Sequence, residues 1–151
     1  MFENEITDLR NALANDDRTR GRFQFGEIAD SYAVVKLADG TIGNTNCHYE
    51  VRKSNDNVRG NEVMYSVEVH FQGVMANYEN FIPFLNSFPD IDTIPFGSND
   101  ICRRLRGNRY AIRYGKGLPL NTPNIVSILK EQLLCLELAI GNDLKQIIAN
   151  A

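Results

Sequence analysis

The only two histidines of this 151-residue chain each stand two positions from a glutamate, in CHYEV (Cys47 to Val51) and in VEVHF (Val67 to Phe71). Imidazole beside carboxylate is the usual makings of a general acid or base, and both groups are suitable zinc ligands. His48, Glu50, Glu68 and His70 are therefore the candidate catalytic residues, in an acid–base or metal-dependent hydrolase. No HExxH, third histidine or CxxC accompanies them, so neither a closed zinc site nor another cofactor is expected. A bland reading stands beside this one. An antiparallel sheet with one wet face alternates His, Glu, Arg and Ser in this way with nothing chemical intended.

The second candidate is RRLRGNRYAIRYGKG, which holds six of the sixteen basic residues with no acid among them: Arg103, Arg104, Arg106, Arg109, Arg113 and Lys116. Guanidinium forks match phosphate and carboxylate geometry in a bidentate way, so an anionic ligand or nucleic acid is the expected partner. Tyrosines interleaved with arginines also suit a single-strand platform, where each stacked base is worth about 1–3 kcal/mol. Two observations weigh against a dedicated nucleic-acid binder. The formal net charge is -3, whereas such domains are usually basic as a whole, and Asp90, Asp92 and Asp100 lie just upstream as ready ion-pair partners. The YGKG run lacks the spacing of a phosphate loop.

These residues must be positioned by the elements around them. Glu3 to Ala14 places Ile6, Leu9 and Leu13 at helical spacing, with acids early where the helix dipole favours them. From Arg22 to Asn46 the period turns toward two, and Asp39-Gly40 is a strong hairpin signal, which predicts two or three antiparallel strands. NCHYEVR and EVMYSVEVHFQ then predict a second hairpin with a polar tip, KSNDNVRGN. The two-residue period puts His48, Glu50 and Arg52 on one face, and Met64, Ser66, Glu68 and His70 on one face of the partner strand. Cys47, Tyr49, Val51, Val63, Tyr65, Val67, Val69 and Phe71 point the other way, toward a core. Glu68 on this hairpin resembles the acid of the Asp…Glu-x-Lys hairpin of nucleases, with His70 in the place of the lysine.

The remainder reads as a short helix starting near Asn80, a loop over Pro89–Gly97, and a two-turn helix at SNDICRRLRG, capped by Ser98 or Asn99 and stopped by Gly107. RYAIRY is a further strand, with Arg109 and Arg113 on one face and Tyr110 and Tyr114 on the other. Thr122 and Pro123 then open a long helix in which Leu129, Leu133, Leu136 and Ile140 recur every three or four residues. The expected fold class is α+β: an antiparallel sheet of about five strands, with the helices on one face, in a single domain spanning 1–151.

With 43% hydrophobic and 23% charged residues, the composition is that of an ordinary globular chain. Three cysteines without CxxC spacing argue for a reducing compartment, and no apolar run approaches the roughly 18 residues of a membrane span. The expected location is cytoplasmic, with no membrane partner. The broad apolar stripe of the last helix needs cover, from the sheet or from a second copy in a homo-oligomer. The order of readings is therefore a small binding module using residues 103–116, then a hydrolase using the His/Glu face, then a structural or regulatory protein that self-assembles through its C-terminal helix. The binding module leads because the catalytic constellation is incomplete, whereas the charge segregation is plain.

Overall fold

The computed structural model describes residues 2–55 and 62–151. Helix α1 (Phe2–Asn15) carries Glu3 and Glu5 in its first turn and buries Phe2, Ile6, Leu9 and Leu13. The alternating segments form β1 (Phe23–Ile28), β2 (Tyr32–Leu37), β3 (Cys47–Ser54), β4 (Met64–Phe71), β5 (Ile101–Arg106), β6 (Arg109–Tyr114) and the two-residue β7 (Leu118–Pro119). One antiparallel sheet results, in the order β1-β2-β3-β4-β6-β5, with β7 paired to β4. Helix α2 (Phe81–Asn86) lies between β4 and β5, and α3 (Ile125–Ala149) follows β7. The fold is α+β, with seven strands among the described residues against an expectation of about five.

The extra strands are β5 and β7. Over residues 98–107 the sequence suggests a helix, with Ser98 as a cap and Gly107 as a stop, but β5 pairs with β6 from Ile101↔Tyr114 to Arg106↔Arg109. Gly107 and Asn108 are therefore the two-residue turn of a hairpin. Gly107 has φ +60°, as the first central position of a type II′ turn requires, so the same glycine that can end a helix here reverses a strand. The stretch is too short for periodicity to separate the two readings, and its partner strand decides it. The Asp39-Gly40 turn is present, with Gly40 at φ +80° and Thr41 N–H bonded to Asp39 Oδ1 at 3.0 Å. It belongs to the long connection between β2 and β3, and no strand follows until Cys47. Val63, expected to point inward, lies before β4 and is exposed. Helix α3 starts at Ile125, with Asn124 rather than Thr122 as its cap residue. Most of the expected hairpin tip between β3 and β4 lies outside the described residues.

Helices α1 and α3 cover one face of the sheet. Leu129, Leu133, Leu136 and Ile140 of α3 meet Tyr49, Val51, Val67, Val69 and Phe71 there, so the helix stripe is consumed within the chain. Arg22 donates to buried Glu137 Oε2 at 2.7 Å and ties α3 to the start of β1. On the outer side of α3, Leu138 is 61% exposed and Cys135 is exposed. Among the described residues, no helix is long and apolar enough to cross a membrane.

Candidate anion-binding face

Directly paired residues of an antiparallel sheet share a face, so the register sorts the charged side chains. His48 pairs with His70, and His70 with Ala111, which pairs in turn with Arg104 on β5. The adjacent row is Glu50, Glu68, Arg113 and Cys102. Arg52 and Ser66 form the row beyond, and Arg109 with Arg106 the row at the other end. The two candidate groups of the sequence are thus one surface, on the face opposite α1 and α3. Across β3 to β6 it carries five arginines against two glutamates.

Much of this face is withdrawn from water although neither long helix covers it. His48, Glu50, Ser66, Glu68 and Arg113 are all buried, Glu68 completely. Near the β5 edge the cover is a second apolar cluster of Ile91, Ile94 and Cys102, which lies beside Arg113 because Cys102 is its register partner. Elsewhere the charged side chains cover one another. His48 Nε2 donates to Glu50 Oε1 at 2.8 Å, Arg52 Nη1 donates to Glu50 Oε2 at 2.7 Å, and Arg104 Nη2 approaches both oxygens of Glu68 at 3.3 and 3.4 Å. Arg52 Nε lies 3.5 Å from Glu68 Oε1. Ser66 Oγ, at 1% exposure, has no hydrogen-bond partner among the described residues.

The network separates the proton affinities of its members. Burial works to raise Glu50, but hydrogen bonds from His48 and Arg52 outweigh it and hold the carboxyl at about 2. Burial pushes Glu68 up, against the pull of Arg113, Arg104 and Arg52. For His48 burial opposes the charge, yet contacts with Glu50 and the Asn44 carbonyl leave its pKa raised. Burial lowers His70, and His48, Arg109 and Arg52 add to the effect against Glu50.

Glu50, Glu68 and His70 each present one atom within 4.8 Å of the others, a spacing a metal ion could use. The guanidinium groups around the two carboxylates already supply the positive charge a metal would bring, so the surroundings suit an anion better than a divalent cation.

The sequence-derived candidates divide as follows. His48, Glu50, Glu68 and His70 share one face as expected, and Arg104, Arg106, Arg109 and Arg113 join it. Arg103 does not. It pairs with Ile112, takes the opposite face, and donates to the Phe88 and Asn86 carbonyls. Lys116 follows β6 and stands 4.9 Å from the centre of the Phe96 ring. Tyr110 packs against Phe81 in the main core rather than offering a stacking surface. Sequence reasoning passed over Arg52 as a site residue, although its place two positions from Glu50 was the available signal. No protein-family model matches the chain, and no curated protein or solved structure is detectably similar to it.

Proposed function

We propose that this protein is a binding module that takes a phosphate-bearing ligand on the helix-free face of its sheet. One observation carries the reading: the strand register gathers Arg52, Arg104, Arg106, Arg109 and Arg113 on a single face, where β3 and β4 contribute the two carboxylates Glu50 and Glu68. The buried glutamates and Arg113 act as the frame. Arg106 and Arg109, which are exposed, and the half-buried Arg104 are the groups a ligand reaches first. Guanidinium on a partly desolvated surface favours phosphate through bidentate, charge-assisted hydrogen bonds.

Calorimetric titration with inorganic phosphate, mononucleotides and a short single-stranded oligonucleotide, at low and high salt, tests the proposal. Affinity for phosphate or nucleotides that falls with salt and weakens in Arg104→Gln/Arg109→Gln supports it. Absence of binding, or binding indifferent to that double substitution, contradicts it. Tight oligonucleotide binding with a much steeper salt slope would replace the small ligand by nucleic acid.

A second reading has an observation of its own. Glu50 and Glu68 face each other across β3 and β4 with their proton affinities pushed apart, the arrangement used by acid–base pairs. Turnover of an aryl phosphate that Glu68→Gln abolishes would move the hydrolase ahead.

A further inference from the structure

Arg113 is the largest fully buried side chain among the described residues, although it stands on the helix-free face beside the edge strand β5. The chain between α2 and β5 supplies its cover. That chain leaves the helix side of the sheet at Asn86 and Phe88, whose carbonyls take the Arg103 guanidinium. It then passes the outer edge of β5, where Arg103 N–H donates to the Pro89 carbonyl at 2.8 Å and Asp90 bridges to Arg103. On the charged face Ile91 and Ile94 close over Cys102, the register partner of Arg113. The return limb rests on Gly115, two residues beyond Arg113, where the Ser98 carbonyl oxygen is 2.6 Å from the position a Cβ would take. The Asp100 carbonyl accepts from Gly115 N–H at 2.9 Å, and β5 begins at the next residue. Residues 89–100 are therefore a strap around the sheet edge, and Arg113 lies under it.

The construction of the strap suits it to leave the sheet as a unit. Its buried side chains Ile91 and Ile94 form with Cys102 a cluster separate from the main core that α1 and α3 cover. Its backbone ties to the sheet lie at its two ends, at Pro89 and Asp100. Between them, bonds run within the strap. Thr93 N–H donates to the Asp90 carbonyl at 2.9 Å, Asp92 N–H to Asp90 Oδ1 at 2.9 Å, and Ser98 N–H to the Pro95 carbonyl at 3.3 Å. A compact loop with internal bonds and a small cluster of its own opens locally far more often than the whole chain unfolds.

We propose that residues 89–100 gate the anion-binding face: the strap lifts while the main core stays folded, and a bound phosphate holds it open by pairing with Arg113. The inference rests on the anion-binding reading above and gives Arg113 a second role. Closed, Arg113 belongs to the frame with its register partner Glu68. Open, it adds a guanidinium to the face next to the row of Ala111 and Arg104. A ligand that gains this contact only in the open state shifts the equilibrium toward that state.

Two buried thiols make the opening measurable. Cys102 is covered by the strap, whereas Cys47 belongs to the main core and reports its unfolding. Alkylation of the full chain by iodoacetamide, an uncharged reagent, is followed by mass spectrometry in Cys135→Ser, which removes the exposed thiol. Cys102 should react at least about tenfold faster than Cys47. Saturating inorganic phosphate should speed Cys102 several-fold and leave Cys47 no faster. Exchange of the Arg103 amide hydrogen, bonded to the Pro89 carbonyl, needs neither thiol nor substitution and should follow Cys102. Ile94→Ala loosens the strap and should raise the Cys102 rate by roughly tenfold or more. If that variant does not fold, the two reporters in the otherwise unchanged chain decide the matter. Equal rates at Cys102 and Cys47 overturn the gate. Phosphate that binds by calorimetry yet slows both reporters, or leaves them unchanged, also overturns it and leaves the anion-binding reading standing. Phosphate that does not bind overturns the two together.

Discussion

Replacing Glu50 with glutamine keeps its shape and removes the charge that His48 and Arg52 share at 2.8 and 2.7 Å. The folded state holds this carboxyl at about 2, against an ordinary 4.5. At about 1.4 kcal/mol per pKa unit, that difference contributes roughly 3 kcal/mol to stability at neutral pH. The figure meets the lower end of the roughly 3–5 kcal/mol expected for breaking a buried ion pair. For a chain of this length it corresponds to a fall in Tm of about 6–12 °C. The sign of the pH dependence follows from the depressed value: the contribution is complete above 4.5 and is lost as pH falls from 4.5 toward about 2. Urea denaturation of the two proteins at neutral pH and at steps into acid gives both quantities. A neutral-pH loss under about 1 kcal/mol, or one that does not shrink in acid, would refute the assignment of Glu50 as the ionised anchor of the face.

Five further substitutions have defined outcomes. His48 has a raised pKa, so its contribution is present below its ordinary 6.5 and lost as pH rises through the folded value; the stability gap between His48→Gln and the parent protein should be widest in mild acid and close in alkali, as measured by urea midpoints. Gly115→Ala should cost about 2 kcal/mol or more, because φ is +70° and a Cβ would lie 2.6 Å from the Ser98 carbonyl oxygen. Gly107→Ala, at φ +60° in open space, should cost only about 1 kcal/mol, and the opposite order of melting temperatures would contradict this. In α3, Leu133→Ala should cost about 2–5 kcal/mol because Leu133 is fully buried. Leu138→Ala should stay within about 0.5 kcal/mol, and a larger, concentration-dependent effect would mark the outer helix face as a contact between copies.

The hairpin carrying the histidines was legible because one face of β3 and β4 had to be apolar, which fixed His48, Glu50, Glu68 and His70 to the other. That logic needs no partner strand. It could not join the arginines to the same face, because neighbours across a sheet follow from strand order, and β6 inserts between β4 and β5. Local pattern also could not separate a six-residue strand from two helical turns at Ile101–Arg106, where Gly107 serves either reading. Once that segment became a strand, Arg103 moved to the face away from the site and Arg104 onto it. The burial of the charges was hidden for a related reason. Polar alternation looks the same whether water or other charged side chains lie above it, and here Glu68 is covered by the arginines that offset it.

The central claim is that the helix-free face binds an anion, and backbone amide shifts of isotope-labelled protein titrated with inorganic phosphate test it most directly. The account predicts saturable shifts concentrated at His70, Ala111, Arg104 and Arg109, absent in Arg104→Gln/Arg109→Gln. Shifts confined to α1 and α3, or none at all, would contradict it.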